Sequence, residues 1–101
     1  MILERFWIEQ GKWSQETFGL DSERGPIGPL KHLEKEIQEV LQDPSDEMEY
    51  IDCFFLIIDA IRRKGISIER FEQLLFQKLE INKARKCGIK ASDEPIEHIR
   101  E

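Results

Sequence analysis

Apolar residues recur along the chain at three- and four-residue steps, and no stretch longer than a few residues alternates strictly. That pattern predicts an all-α protein. Leu3, Phe6, Trp7, Gln10, Trp13 and Thr17 share one face of a first helix that should stop near Gly19. "GLDSERGPIGPL" is a loop by its turn chemistry. A second helix runs from about Pro29 to Gln42 on the stripe Leu30, Leu33, Ile37, Val40 and Leu41, with Pro29 suited to a first helical turn. "DPSD" breaks it, because Pro44 disfavours a helical Asp43, while Ser45 or Asp46 can cap the next helix, Asp46 in capping-box spacing with Glu49. The third helix reaches Lys64 before Gly65. The fourth, capped by Ser67, runs from Ile68 to about Lys86. The expected architecture is a small bundle of four main helices built around an antiparallel helix hairpin. Residues 1–88 form the domain, and residues 89–101 form a tail that is a short helix or partly disordered.

Length and charge narrow the function. A chain of 101 residues holds one small core, small enough for a partner subunit to help complete it. A formal net charge of −6 argues against a nucleic-acid polymer or an anionic membrane as the partner. Phosphate ligands then require metal cations. Cys53, inside an apolar helix, and Cys87, far along the chain, make no disulfide framework, and the N-terminus lacks a secretory or membrane-spanning core. A cytoplasmic protein is the expectation.

The candidate chemistry lies in the apolar segment "EMEYIDCFFLIIDAI", which carries Glu49, Asp52 and Asp59 where an unpaired carboxylate is costly. Glu36 and Glu39 on the second helix are three residues apart, as are Glu49 and Asp52 on the third, so each pair projects from one side of its helix. In an antiparallel hairpin centred on Pro44, Glu39 faces the level of Glu49, and Glu36 that of Asp52. Four carboxylates so placed repel unless they take up protons or share cations, and oxygen-only ligands suit Mg²⁺, with Mn²⁺ as a substitute. Asp59 is expected behind the ligands, or as a partner of Arg62 or Arg63. His32 could orient Glu36 but is not counted among the ligands. On the fourth helix the stripe of Phe71 and Leu75 continues into Lys78, Asn82 and Arg85, groups able to hold phosphates and a sugar.

"KHLEKEIQEV", "DEMEYIDCFFLIIDA" and "KLEINKARK" together resemble the all-α MazG-like nucleoside triphosphate pyrophosphohydrolases, closest to the dATP/dGTP pyrophosphohydrolase branch. Glu36, Glu39, Glu49 and Asp52 match the family's Glu-x-x-Glu and Glu-x-x-Asp motifs, while Lys35 stands where many members carry a further Glu. The resemblance implies hydrolysis between the α and β phosphates, with two or three Mg²⁺ ions on those four catalytic acids. It further implies a base site near Trp13 and Phe18, Lys78, Asn82 and Arg85 on the phosphates and sugar, assembly as a homodimer or homotetramer, and a bacterial or phage setting. The rival reading is a non-catalytic helical adaptor, or a metal- or nucleotide-binding protein, that has kept the fold. Trp13 and Phe18 would then be core or interface aromatics.

Overall fold

A computed structural model of the chain describes residues 2–87 and 98–99. It contains helices α1 (Ile2–Phe18), α2 (Ile27–Gln42), α3 (Glu47–Arg63) and α4 (Ile68–Ala84), followed by two-residue strands β1 (Lys86–Cys87) and β2 (His98–Ile99). The all-α class holds. None of the described helices is long and apolar enough to cross a membrane. The chain divides into two compact units, Met1–Ile68 and Glu69–Glu101.

In the first unit the helix stops follow backbone chemistry. The α1 helix ends at Phe18, and Gly19 adopts a positive φ of 113° while its amide donates to the Gln15 carbonyl. Pro26 occupies the N-cap position of α2 and Pro29 falls in its first turn, so the helix begins two residues earlier than expected, at Ile27. Between α2 and α3 the Ser45 hydroxyl donates to Asp43 Oδ1 at 2.6 Å, and the Tyr50 hydroxyl donates to the Pro44 carbonyl at 2.8 Å, pinning the break. Asp46 caps α3 by accepting from the Met48 amide at 3.0 Å. The reciprocal half of a capping box is missing: one Glu49 carboxylate oxygen is buried without a hydrogen bond, because this side chain turns toward Glu36 and Asp52 instead.

The core of this unit lies between α1 and the second half of α3. Ile58 is fully buried, and Trp7 and Ala60 nearly so. Phe6 meets Phe54 and Phe55 at ring separations of 5.9 and 5.4 Å, within the range of favourable edge and tilted contacts. Gly11 is buried on the α1 face, and a Cβ there would come within 3.2 Å of Arg62 Cδ. The missing side chain lets an arginine cross the helix. Although α3 reads as apolar throughout, only its second half is buried; Ile51 and Phe54 in the first half are more than 40% exposed.

The second unit holds α4 and the antiparallel pairing of Lys86 with Ile99 and Cys87 with His98. Arg85 follows the end of α4, which stops two residues short of the expected Lys86. The tail expectation for residues 89–101, apart from His98–Ile99, falls outside the described residues.

Candidate active site

The hairpin brings acids from both helices together. Glu36 of α2 and Glu49 and Asp52 of α3 each place a carboxylate oxygen within 4.8 Å of the others. Glu39 is not in that set of three, but its neighbour Glu36, first by hydrogen bonding to the protonated form and then by its charge, raises the Glu39 carboxyl above its ordinary range. Glu49 is raised chiefly by burial, then by the charges of Glu39 and Glu36. The cluster holds more negative charge than it can neutralise, and Glu49 Oε2 is buried with no hydrogen-bond donor. Hard oxygen donors, mutual repulsion and an orphaned oxygen fit a divalent cation such as Mg²⁺.

His32 supports this edge, its Nε2 lying 3.2 Å from Glu36 Oε1. One turn separates the two residues along α2, so the contact follows from helix spacing. Beside the acids, Cys53 has its thiol pushed up by burial and then by Glu36 and Asp52, which keeps it protonated and suits its reading as a packing residue.

From the acids a trough of about 700 Å³ runs over the first unit. Glu36 and Asp52 line it together with Trp13, Phe18, Phe55, Ile27 and Pro29. Trp13 and Phe18 stand edge to face at 5.6 Å and are about half exposed, so neither is a core residue. They form an aromatic wall open to a flat ligand.

Behind the trough lies a buried polar network. The Asp59 Oδ1 atom accepts from Gln10 Nε2 at 2.9 Å and from Arg62 Nη2 at 2.8 Å. Arg62 also donates to Gln10 Oε1 and, through Nε, to Asp21 Oδ2, each at 2.8 Å. Arg63 donates to Ser14 Oγ at 3.3 Å and to the Gly19 carbonyl at 3.1 Å, covering the C-terminal end of α1 where carbonyls lack partners. Two arginines and two aspartates thus fasten α1 and the following loop to α3. Of the two partners that the sequence offered Asp59, Arg62 is the one it meets, while Arg63 turns to Ser14 and Gly19. Gln10 and Asp21 gave no such signal: Gln10 reads as one more position on a helix stripe, and its partners lie 49 and 52 residues away.

Lys78 and Asn82 lie on α4, and Arg85 just beyond it, all in the second unit. Lys78 is exposed, while Asn82 and Arg85 are half-buried.

A family model describing dATP/dGTP pyrophosphohydrolases matches residues 7–101. The chain belongs to that family. The matched span includes Trp13, Phe18, the four acids of the hairpin and the polar residues of α4. The chain is also 48% identical over 98 residues to the Eaa protein of Salmonella phage P22. That alignment covers 97% of this chain but 30% of the phage protein, so the chain spans less than a third of that relative's length. No solved structure gives a significant match. Family membership agrees with the resemblance carried by the two acidic motifs.

Proposed function

We propose that the chain is a Mg²⁺-dependent pyrophosphohydrolase that converts dATP or dGTP to the monophosphate and pyrophosphate. The observation that carries this reading is the set of three carboxylates within 4.8 Å, one oxygen orphaned, at one end of an aromatic-walled trough. The family description supplies the reaction class.

Glu36, Glu49 and Asp52, with Glu39 beside them, are the residues that would hold two or three Mg²⁺ ions, with Mn²⁺ as a substitute. When bound, such ions neutralise phosphate charge and make water more acidic. The remaining chemistry belongs to the side chains. Water attacks the α-phosphorus, the bond from that phosphorus to the bridging oxygen of the β-phosphate breaks, and pyrophosphate leaves. Glu39, outside the group of three carboxylates, is the proposed acceptor of the water's proton. Trp13 and Phe18 hold the base, and the Asp59 network keeps their wall in place. Lys78, Asn82 and Arg85 are proposed phosphate and sugar contacts, on the family resemblance. The working form is a homodimer or homotetramer.

Incubation of the protein with each triphosphate and Mg²⁺, followed by separation of products, tests the reading. Pyrophosphate and a monophosphate are expected, and both should vanish in Glu49→Gln and Asp52→Asn. Free phosphate in place of pyrophosphate would move the cleavage site. No turnover of any nucleotide, combined with tight binding to a protein partner, would favour a non-catalytic adaptor.

A further inference from the structure

Two arginines and a histidine line the trough, and two of these three side chains are already engaged. Arg63 is bonded to Ser14 and the Gly19 carbonyl, and His32 is paired with Glu36. Arg24 is different: among the described residues its guanidinium has no hydrogen bond and no ion pair. The exposed side chain folds back toward Gly19, where a Cβ would lie 3.0 Å from Arg24 Nε and 3.3 Å from Cδ. The φ of +113° is what calls for glycine at that position.

Position along the trough decides what such a guanidinium can meet. Ile27 and Glu36 both line it, and nine residues of helix between them correspond to roughly 13 Å along the α2 axis. Arg24 lies in the loop before Ile27, at the end remote from the carboxylates. Gly25 and Gly28 line that end, and a Cβ on either would meet nothing within 4 Å. A nucleotide with its phosphates at the acids directs its base toward this open end, against the Trp13 and Phe18 wall. A guanidinium beside the edge of a stacked base pairs in plane with two adjacent acceptors. Guanine and hypoxanthine present that pair as O6 and N7, whereas adenine sets an N6 donor beside N7.

We propose that Arg24 is a specificity residue that reads the O6 and N7 edge of a 6-oxopurine, giving dGTP preference over dATP. The inference rests on the nucleotide-hydrolase reading above and adds the base and the residue that selects it.

The test compares wild type with Arg24→Ala on dGTP, dITP, 7-deaza-dGTP and dATP at saturating Mg²⁺, with dGMP and dAMP binding measured by calorimetry without metal. Loss of one bidentate contact should lower kcat/KM for dGTP and dITP by about 10- to 100-fold. The dATP value should change little, and 7-deaza-dGTP should lose less than dGTP. An equal fall on all four triphosphates would place Arg24 on phosphate or sugar, and no fall on any would remove it from the site; either overturns the inference. The variant should melt with wild type, since Arg24 is exposed and carries no side-chain bond, so a lower melting temperature also counts against it. If wild type hydrolyses nothing yet binds dGMP over dAMP in an Arg24-dependent way, base reading stands and hydrolysis falls. If it neither hydrolyses nor binds any of them, both fall.

Discussion

Each acid of the cluster is defined by its immediate company. Glu49 lies close to Glu36 and Asp52, has one oxygen with no donor, and is raised first by burial and then by its acidic neighbours. A folded carboxyl that holds its proton more tightly than the unfolded chain contributes stability below the unfolded value. That contribution is lost as pH rises through the folded value. For Glu39 and Glu49 the window therefore opens at the ordinary value of 4.5 and extends above it. Metal-free protein should lose stability relative to Glu49→Gln as pH climbs through that window. Added Mg²⁺ should reverse the order, because it stabilises the wild type in its charged form and has little grip on the variant. Melting curves of both proteins across pH, with and without Mg²⁺, check this; a variant stabilised by Mg²⁺ as strongly as wild type would remove Glu49 from the ligand set. His32 offers a milder probe through its contact with Glu36 Oε1 at 3.2 Å. Loss of an outer partner of a metal ligand typically costs about 10- to 100-fold in affinity or activity, so His32→Ala should weaken Mg²⁺ dependence by that order in a titration of rate against Mg²⁺.

Elements determine which acids can meet, and here the reach of the sequence can be gauged. Helix periodicity and the "DPSD" break were enough to pair α2 with α3 and to bring Glu36 level with Asp52, since an antiparallel hairpin with a short turn has few registers. The same rule gives level but not rotation: Glu39 lies outside the group of three, yet its charge acts on Glu49, the residue it was set level with. The α1 contacts were hidden for another reason. Gln10, Asp59, Arg62 and Asp21 meet only once α1 packs on α3, and no spacing within one helix encodes that approach. Arg62 is nine-tenths buried and links α1, the loop and α3, so Arg62→Ala leaves the buried Asp59 without its cation. Breaking such a pair by removing one partner costs about 3–5 kcal/mol, measurable as a lower urea midpoint. The Asp46 cap is a weaker hold: Asp46→Ala frees one amide at an exposed helix start and should cost about 1 kcal/mol.

At the scale of the whole molecule the imbalance is between apolar surface and core. Among the described residues only Trp7, Ile58 and Ala60 are buried apolar side chains. On the α2–α3 hairpin Ile37, Leu41, Ile51, Phe54 and Ile57 are each at least 40% exposed. On α2 and α3 these residues recur at three- and four-residue steps, the spacing of a helix face that expects a partner. Single exposed apolar residues need no explanation, but several on two helices that pair as a hairpin offer apolar surface on which a partner can pack. Helices packed together through such faces bury far more apolar surface than this unit manages within itself, and self-association through a shared face closes the assembly by symmetry. The chain should therefore sediment as a homodimer or homotetramer at micromolar concentration. Leu41→Asp adds a charge to this face at its most exposed apolar position, away from the Phe6–Phe54 contact, and should shift the protein toward monomer in sedimentation equilibrium, with a lower melting temperature that no longer rises with protein concentration. A wild type that remains monomeric at tens of micromolar would mean that the exposed face serves a different protein. The phage relative, over three times longer than the stretch aligned here, shows that a chain of this family also occurs within a larger polypeptide.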